Sequence, residues 1–295
     1  MIAVTGATGH LGAGVLENLL KRMPASHLIA SVRRPSEARA FAARGVKVRE
    51  GDFDKPELLE QSFNGAERLL LISSSGIEYE KRFEQHRRVI DAGRNAGIRH
   101  IYYTSLLPGQ GSMAYVMKAH LDTEAYIKSC GLTYTIIKNG VYIEVHDLYL
   151  GPEKFGQIAI PADGPISWVS RTDLAEGIAR LLESGAYRNE TVYLTGATAL
   201  DIAAFAALVG RHRGVPLMRK IVPLEEYVAR LRTAGHDEDF ARHWATTYFD
   251  LPRGEFARVD PLLQELLGRQ PTSIEKVLED SDSIGGMGTL VTSAN

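Results

Sequence analysis

The stretch VTGATGHLG, residues 4–12, decides the fold of this chain. Its three glycines, Gly6, Gly9 and Gly12, lie three residues apart between the short apolar segment 1–5 and a helical pattern. A glycine within a helix costs about 1 kcal/mol relative to alanine, so this turn must require a bare backbone. A strand, a glycine-rich turn and a helix in this order are typical of a site where backbone N–H groups meet phosphate groups.

Strand-like and helical patterns alternate along the first half of the chain. Such alternation with short connections implies right-handed crossovers and a parallel sheet with helices on both faces. We therefore predict an α/β fold of the Rossmann type, a doubly wound parallel sheet that binds its ligand at the carboxyl ends of the strands. The predicted strands are residues 1–5, 27–32, 46–52, 68–75, 99–106 and 132–140, and the predicted helices are residues 10–21, 36–44, 56–63, 79–96 and 118–129.

The alternation ends about half-way along the chain, which predicts a second, smaller region. We expect residues 1–150 to form the dinucleotide-binding domain and residues 151–279 a smaller, mostly helical substrate-binding region. The Ser/Gly-rich tail, residues 280–295, is expected to be flexible. Two later strands, at residues 166–169 and 191–196, are candidates to extend the sheet of the first domain.

The composition excludes several classes of protein. The chain has 295 residues, of which 44% are hydrophobic, and a formal net charge of −2, so it lacks the basic surplus of nucleic-acid-binding proteins. Its one cysteine, Cys130, allows no disulfide within the chain and indicates a reducing compartment. The sequence has no apolar run of membrane-spanning length and no metal-ligand spacing, and we expect no signal peptide. We expect a cytoplasmic monomer or homodimer that binds no nucleic acid, membrane or metal.

The glycine-rich turn is predicted to bind the diphosphate of a dinucleotide. A helix N-terminus offers unpaired N–H groups and the positive end of the helix dipole, and side chains at the turn would hold a phosphate away. Gly12 is also expected to let the helix pack closely on the strand. A tight turn that binds no ligand is the alternative. The predicted contacts are Gly6, Thr8, Gly9, His10, Leu11 and Gly12.

Two arginines after the second strand predict which dinucleotide is bound. Arg33 and Arg34 stand where a carboxylate would accept hydrogen bonds from a free ribose 2′-hydroxyl. Guanidinium groups suit a phosphate dianion, so we predict NADP(H) rather than NAD(H), with a solvated surface pair as the alternative. Asp52 after the third strand is predicted to bond the adenine amino group, with Phe53 beside it. A helix cap is an equally good interpretation of Asp52.

Small polar residues end the next three predicted strands, at the edge where the cofactor is expected. Hydroxyl groups there can bond ribose and nicotinamide without crowding them, although capping of the strand ends is the alternative. A glycine at the end of the sixth strand is expected to permit a sharp bend. The predicted contacts are Ser73, Ser74, Ser75, Thr104, Ser105, Asn139 and Gly140.

The sequence resembles the NmrA-like branch of the atypical short-chain dehydrogenases/reductases. The segments that carry the resemblance are VTGATGHLG, ASVRRP, LISSS, YYTSLL and IIKNGVYIE, in this order. Within the branch, the chain is most similar to the NADPH-dependent quinone oxidoreductase and triphenylmethane reductase type. The resemblance implies an NADPH-dependent oxidoreductase that reduces a quinone or an aromatic or polyketide-type carbonyl by hydride transfer. Alternatives on this fold are an NADP-sensing regulatory protein with little catalysis and an isomerase or ring-cleaving accessory enzyme.

The resemblance also implies which residues lie near the nicotinamide. The usual Tyr-x-x-x-Lys pair of the short-chain enzymes is replaced here by Tyr115 and Lys118, one residue too close, in a stretch expected to be a loop. His120 stands where related plant reductases carry a lysine, so it is the leading catalytic candidate, as a proton donor or hydrogen-bond donor. Lys118 and Tyr115 are the next candidates, and Tyr142 is a further candidate donor. The alternative for His120 is a residue at the start of a helix that faces solvent.

Other residues complete the hypothesis. Ile143, Tyr149, Phe155 and Trp168, with Tyr142, are candidates for an apolar pocket that takes a flat, small-molecule substrate, although an aromatic stripe is more often core. Arg171 and Asp173 are interpreted as a structural helix start. His86, on a charged helix, is interpreted as a solvated residue and given no role.

Overall fold

The chain divides into two compact units that are interleaved in sequence. The computed structural model describes residues 1–151 and 156–283, which leaves the predicted pocket residue Phe155 and most of the predicted tail outside the described part. The first unit comprises Met1–Leu106, Ala119–Asn139 and Arg171–Leu194, and the second comprises Leu107–Lys118, Gly140–Ser170 and the chain from Thr195 onward. The division is therefore not the single cut near residue 150 that the loss of alternation predicts.

The first unit is built on a seven-stranded sheet in the strand order β10-β6-β5-β4-β1-β2-β3. All its neighbouring strands are parallel, and the order reverses between β1 and β4, which confirms the predicted doubly wound fold. The strands are β1 (Ile2–Thr5), β2 (Leu28–Val32), β3 (Lys47–Glu50), β4 (Arg68–Leu71), β5 (His100–Leu106), β6 (Thr133–Asn139) and β10 (Glu190–Leu194).

Helices cover this sheet, and two of them approach each other closely. A Cβ on Gly14 would lie 2.9 Å from the Cβ of Ala175, so the first and seventh helices pack with almost no space between their backbones. Arg22 adds an ion pair to Glu176, with 3.5 Å between Nη2 and Oε1. The helices of the unit are α1 (His10–Leu20), α2 (Arg39–Ala43), α3 (Pro56–Phe63), α4 (Tyr79–Asn95), α5 (Tyr115–Ser129, of which residues 115–118 belong to the second unit) and α7 (Arg171–Ser184), with 3-10 turns at Ala25–His27 and Pro35–Ala38.

The core of the first unit lies between the sheet and its helices. Strands β1, β2 and β4 are almost wholly buried along their length, as expected of a parallel sheet covered on both faces. Helices α3 and α4 supply the facing apolar side chains, among them Leu59, Phe63, Val89 and Ile90. The predicted helix 36–44 is instead a 3-10 turn at Pro35–Ala38 followed by the short α2.

The fourth strand is shorter than predicted, and the reason bears on the site. Residues 72–74 do not continue the ladder, because their backbone N–H groups bond to side chains. Ile72 donates to Oγ1 of Thr5, and Ser73 donates to Oγ1 of Thr104. Ser74 donates to the imidazole of His86. The segment that leaves the carboxyl end of β4 is therefore held by polar side chains of the same unit.

The second unit contains two small sheets and the remaining helices. The strand predicted at residues 166–169 does not join the large sheet but pairs with β7 and β11, whereas the strand predicted at 191–196 does join it as β10. The strands are β7 (Val141–Tyr142), β8 (Gln157–Ile160), β9 (Ile166–Val169), β11 (Ala199–Leu200) and β12 (Met218–Ile221). The helices are α6 (His146–Leu150), α8 (Ile202–Arg213), α9 (Leu224–Thr233), α10 (Glu238–Ala245), α11 (Leu262–Leu267) and α12 (Ile274–Ser283), with 3-10 turns at Ile143–Val145 and Thr246–Phe249. Within the described ranges, no helix combines the length and apolar character needed to cross a bilayer.

Candidate functional site

The turn between β1 and α1 requires glycine at two positions. Gly6 has φ +59°, a left-handed conformation that L side chains rarely adopt. A Cβ on Gly12 would lie 2.2 Å from the backbone oxygen of Gly6, far inside contact distance. The N–H of Gly9 donates to that same oxygen at 2.9 Å and closes the turn. Gly12 therefore permits contact within the turn itself rather than the predicted packing of helix on strand.

The N-terminus of α1 is open to a ligand. Gly9 is its N-cap and, having no side chain, supplies no capping hydrogen bond. Gly6, Thr8, Gly9 and His10 are exposed, whereas the side chain of Leu11 is buried and leaves only its backbone to face a ligand. Exposed backbone, a positive helix terminus and a tightly closed turn fit a dinucleotide diphosphate. The residues present therefore suit the predicted cofactor.

The two arginines after β2 differ in their surroundings. Arg33 and Arg34 are both exposed, at the carboxyl end of a strand beside β1. The Nε of Arg34 donates to the carboxylate of Glu37, within the 3-10 turn that follows. Arg34 is therefore partly neutralised by an acid, and Arg33 is the better placed of the two for a phosphate group.

Asp52 and Phe53 follow β3 and both have contacts within the protein. Oδ1 of Asp52 accepts the N–H of Asp54 at 3.1 Å, a local turn of the kind aspartate often makes. The N-cap of α3 is Lys55, so Asp52 is not the cap of that helix. Phe53 is half-buried and packs against the core of the unit. The predicted contact of Asp52 with adenine stays a prediction.

A buried histidine lies beneath the segment that follows β4. His86, on α4, is fully buried and accepts the N–H of Ser74 through Nε2 at 3.0 Å. Its Nδ1 lies 2.9 Å from Oγ1 of Thr123, whose hydroxyl donates to the backbone oxygen of Ala119 at 2.7 Å. Because a backbone N–H only donates, Nε2 of His86 is the acceptor and Nδ1 carries the proton.

His120, the leading catalytic candidate, is also buried, with 4% of its surface exposed. Nη2 of Arg82 lies 2.9 Å from its Nε2, and the hydroxyl of Tyr103 lies 2.8 Å from its Nδ1. A guanidinium group has no lone pair to accept with, so Nε2 of His120 accepts and Nδ1 donates to Tyr103. Arg82 also reaches Oγ of Ser73 at 3.3 Å, so α4 links the predicted catalytic and cofactor-binding residues.

His86, His120 and Tyr103 form a buried cluster, and burial disfavours the charged form of each of the three rings. Burial, reinforced by the nearby positive charge of Arg82, lowers the pKa of His86 from 6.5 to about 3. Burial and then Arg82 likewise hold the pKa of His120 well below its usual value, with smaller contributions from His86 and Lys138. Burial raises the pKa of the Tyr103 phenol. The cluster therefore holds two neutral imidazoles and a neutral phenol at ordinary pH.

The hydroxyl groups predicted at the end of β5 have internal partners. Thr104 is buried and accepts the N–H of Ser73 at 3.0 Å. Ser105 is buried and donates to the carboxylate of Glu124 on α5. Glu124 in turn forms a buried ion pair with Lys138 on β6, with 2.8 Å between Oε1 and Nζ. Both hydroxyls thus stabilise the strand end, and their contact with a cofactor stays a prediction.

Asn139 and Gly140 are buried at the end of β6, where the chain passes from one unit to the other. Gly140 does not adopt a positive φ, and the bend predicted there stays a prediction. A Cβ there would lie 2.6 Å from the backbone oxygen of Ser167 on β9. Glycine is required because two strands of the second unit approach closely.

The other predicted donors belong to the second unit. The stretch before Lys118 is helical rather than a loop, since α5 begins at Tyr115. Its N-terminus is held within that unit by Thr246, whose Oγ1 accepts the N–H of Tyr115 at 2.7 Å. The Tyr115 ring stacks on His243 with 3.6 Å between centroids. Lys118 is exposed and Tyr142, on β7, is half-buried.

Three of the residues predicted to line a pocket, Ile143, Tyr149 and Trp168, form core instead. Tyr149 and Trp168 are 4% and 2% exposed and pack edge to face, with 5.4 Å between ring centroids. Trp168 also contacts Phe205 at 4.1 Å, and Ile143 is buried. These side chains are occupied in stabilising the second unit, as apolar stripes commonly are.

Comparison with known proteins places this geometry in a family. Residues 6–185 match the model of the family described as NAD(P)H-binding. Quinone oxidoreductase 2 of Escherichia coli is 34% identical over 277 residues, covering 93% of this chain and 96% of its own length. Its crystal structure with NADPH, QOR2, superimposes with a TM-score of 0.87 and 32% identity, over 95% of this chain and 99% of that one. The chain belongs to the NAD(P)H-binding family.

Two further proteins are similar to this chain over most of its length. An NmrA-like family domain-containing oxidoreductase, flvB, of Aspergillus flavus is 34% identical over 278 residues, covering 91% of this chain and 90% of its own. The structure of a Citrobacter sp. triphenylmethane reductase complexed with NADP(H) has a TM-score of 0.85 and 32% identity, over 95% and 100% of the two chains. The predicted resemblance, the NADP(H) cofactor class and the class of NAD(P)H-dependent oxidoreductase are confirmed.

Several residues of this cluster, among them Arg82, His86 and Tyr103, are not predicted from the sequence. The charged residues of α4 predict a solvated His86, whereas the structure buries it. The sequence of α4 does contain a signal that His86 is buried. Residues that recur at helical spacing on this helix all face inward, namely Arg82, His86, Val89, Ile90 and Gly93. A polar residue within an apolar stripe is buried and therefore needs partners.

Proposed function

We propose that this protein is an NADPH-dependent oxidoreductase that reduces a quinone, or an aromatic or polyketide-type carbonyl compound, by hydride transfer. The observation that carries the proposal is the turn after β1, where Gly12 lies against the backbone oxygen of Gly6 and the N-terminus of α1 stays exposed. Relatives of similar length named quinone oxidoreductase 2 and triphenylmethane reductase support the reaction class.

Different residues of the chain are assigned to different parts of the cofactor. NADPH, when bound, supplies the hydride from its nicotinamide ring. In this proposal the backbone N–H groups of His10 and Leu11 hold the diphosphate, and Arg33, with Arg34, holds the 2′-phosphate by charge-assisted hydrogen bonds. Ser73, Ser74 and Ser75 lie at the carboxyl end of β4, where the ribose and nicotinamide are expected.

The neutral, hydrogen-bonded imidazole of His120 favours a substrate that can accept hydride with little general-acid catalysis. Both of its ring nitrogens are bonded within the protein, and burial keeps the ring neutral. A quinone spreads the negative charge it gains over its ring, whereas a simple ketone needs a strong donor at its oxygen. In this proposal His120 positions Arg82 and Tyr103, while Lys118 and Tyr142 stay candidate donors. Quinone-like substrates are therefore the class we expect.

The test is oxidation of NADPH, followed at 340 nm, with a panel of benzoquinones, naphthoquinones, aromatic ketones and aliphatic ketones. The proposal expects turnover with quinones, less with aromatic ketones and least with aliphatic ones, and a preference for NADPH over NADH. Equally tight binding of NADP⁺ and NAD⁺ with no acceptor-dependent oxidation would instead support a dinucleotide-sensing regulatory protein.

A further inference from the structure

We propose that His86 is a positioning residue that fixes the backbone of Ser74 at the dinucleotide-binding edge, as a neutral imidazole with its proton on Nδ1. The role rests on the proposed function, because Ser74 is assigned to the cofactor there. The carrying observation is one hydrogen bond: the N–H of Ser74 donates to Nε2 of His86 at 3.0 Å. His86 itself reaches no exposed surface, so it acts through Ser74.

Residues 72–75 cannot rely on the sheet for their conformation. Beyond Leu71 the chain has left β4, and the N–H groups of Ile72, Ser73 and Ser74 all bond to side chains. Two of those acceptors are threonine hydroxyls on β1 and β5, which the sheet holds in place. The third is His86, so an imidazole on α4 holds the part of the segment farthest from the strand.

The hydrogen bond at Nδ1 of His86 ensures that Nε2 is the acceptor. Its Nδ1 donates to Oγ1 of Thr123, and the Thr123 hydroxyl donates onward to the backbone oxygen of Ala119. This chain of donors has one consistent direction, from Ser74 through His86 and Thr123 to the backbone of α5. The lone pair of Nε2 therefore accepts the N–H of Ser74. Reversing the tautomer would set two donors against each other.

Burial and the nearby charge of Arg82 favour the neutral ring of His86. Tyr103 lies edge-on to it, with 5.4 Å between ring centroids, and its hydroxyl is 3.5 Å from Nδ1. Arg82, one helical turn earlier on α4, and the neutral His120 complete its titratable surroundings. A cation nearby and no water access oppose a second proton, so the bond to Ser74 persists across the pH range in which enzymes are assayed.

Two variants and one matched control separate positioning from general stability. His86→Leu removes the acceptor and leaves the Ser74 N–H unsatisfied, whereas His86→Gln keeps an acceptor oxygen within reach of it. The control is His100→Gln: His100 is also buried, bonds Oγ1 of Thr135 at 2.8 Å, and lies at the opposite end of β5. All three are compared by NADPH titration, by kcat and KM with a quinone, and by amide hydrogen exchange.

The expected result for His86→Leu is a loss of NADPH affinity of about tenfold, because one buried N–H is left without an acceptor. His86→Gln should recover part of that affinity. Exchange at the Ser74 amide should accelerate in His86→Leu, and His100→Gln should leave both readouts at the parent value. Unchanged NADPH affinity in a folded His86→Leu protein would overturn the proposal, as would unchanged exchange at Ser74.

A measurement on the parent protein keeps the proposal testable if His86→Leu does not fold. Ring ¹⁵N chemical shifts of the protein without cofactor report which nitrogen of His86 carries the proton. The Nδ1–H form is expected, and an Nε2–H form would overturn the assignment. The tautomer of His86 and the exchange rate of the Ser74 amide are both measured without NADPH, so they test the positioning role by itself. A failure of the proposed function would instead appear as a parent protein that does not bind NADPH.

Discussion

Nη2 of Arg82 lies 2.9 Å from Nε2 of His120, in the buried polar cluster at the carboxyl edge of the sheet. A permanent cation that donates to an imidazole fixes the tautomer of that imidazole and opposes its protonation. A histidine chosen as a proton donor is thus held as a hydrogen-bond acceptor. The cluster orients groups at this edge, and its residues can be tested one at a time.

Replacing Arg82 should make the two buried histidines easier to protonate. The charge of Arg82 lowers the pKa of both His86 and His120, so Arg82→Met is expected to raise both values. NMR titration of the imidazole resonances measures the change. Arg87→Met is the control, because Arg87 lies on the same helix but pairs with Glu84 at the surface. Unaltered histidine titration in Arg82→Met would contradict the electrostatic role given to Arg82.

The stability of the fold should fall as the pH falls below about 6.5, the ordinary pKa of histidine in an unfolded chain. The folded-state pKa values of His86 and His100 are lowered to about 3 and about 4, so between those values and 6.5 the unfolded chain binds more protons. Each such histidine costs up to about 1.4 kcal/mol per pH unit of acidification in the free energy of unfolding.

Urea unfolding at several pH values between 7 and 5 measures this slope. His100→Gln should flatten it, since the side chain can no longer take up a proton on unfolding. His27→Gln, at an exposed position, is the control and should leave it unchanged. A free energy of unfolding that does not decline on acidification would refute the buried neutral state of these rings.

Gly12→Ala should abolish tight NADPH binding and destabilise the fold. Its Cβ would lie 2.2 Å from the oxygen of Gly6 and 3.0 Å from the Cα of Ala7, both backbone atoms that cannot move aside without opening the turn. Overpacking of this kind costs about 1–3 kcal/mol. Gly109→Ala, where a Cβ meets no neighbour within 4 Å, is the control. NADPH titration and thermal unfolding of both variants decide the matter, and a Gly12→Ala protein with parental affinity would contradict the prediction.

Arg33→Ala should reduce the preference for NADPH over NADH by about tenfold, the effect of one lost charge-assisted hydrogen bond. Arg34→Ala is expected to have a smaller effect, because Arg34 already pairs with Glu37. The ratio of kcat/KM for the two coenzymes is the measurement. Arg99→Ala, at a surface ion pair with Glu67 before β5, is the control. An unchanged ratio in Arg33→Ala would remove Arg33 from the binding site.

Glu124→Gln should destabilise the protein by about 3 kcal/mol, because Lys138 would lose its buried counter-ion. The double variant Glu124→Gln, Lys138→Met removes both charges and should recover much of that loss. Denaturant unfolding of the single and double variants measures the coupling. Equal stability of the two variants would show that the loss does not come from an unpaired charge on Lys138.

Local sequence patterns predicted the sheet well because each signal lies within a few neighbouring residues. The glycine spacing, the apolar runs of β1 and β2, and the helical pattern of α1 depend on adjacent residues, and all appear within a residue or two of their predicted bounds. The strand ends were harder. Residues 72–74 look like a continuation of β4, but their N–H groups bond to side chains that are distant in sequence.

By itself, the sequence determined the doubly wound sheet and the glycine-rich turn after β1, since strand and helix periods and the need for bare glycine are properties of short segments. Only the tertiary structure decided what the polar side chains do. His86, Tyr103 and His120 come from two helices and a strand, and their proton positions follow from donors that folding brings within 3 Å. Hydrogen bonding and desolvation act through space, so the chemical state of a buried ring cannot be predicted from its neighbours in the chain.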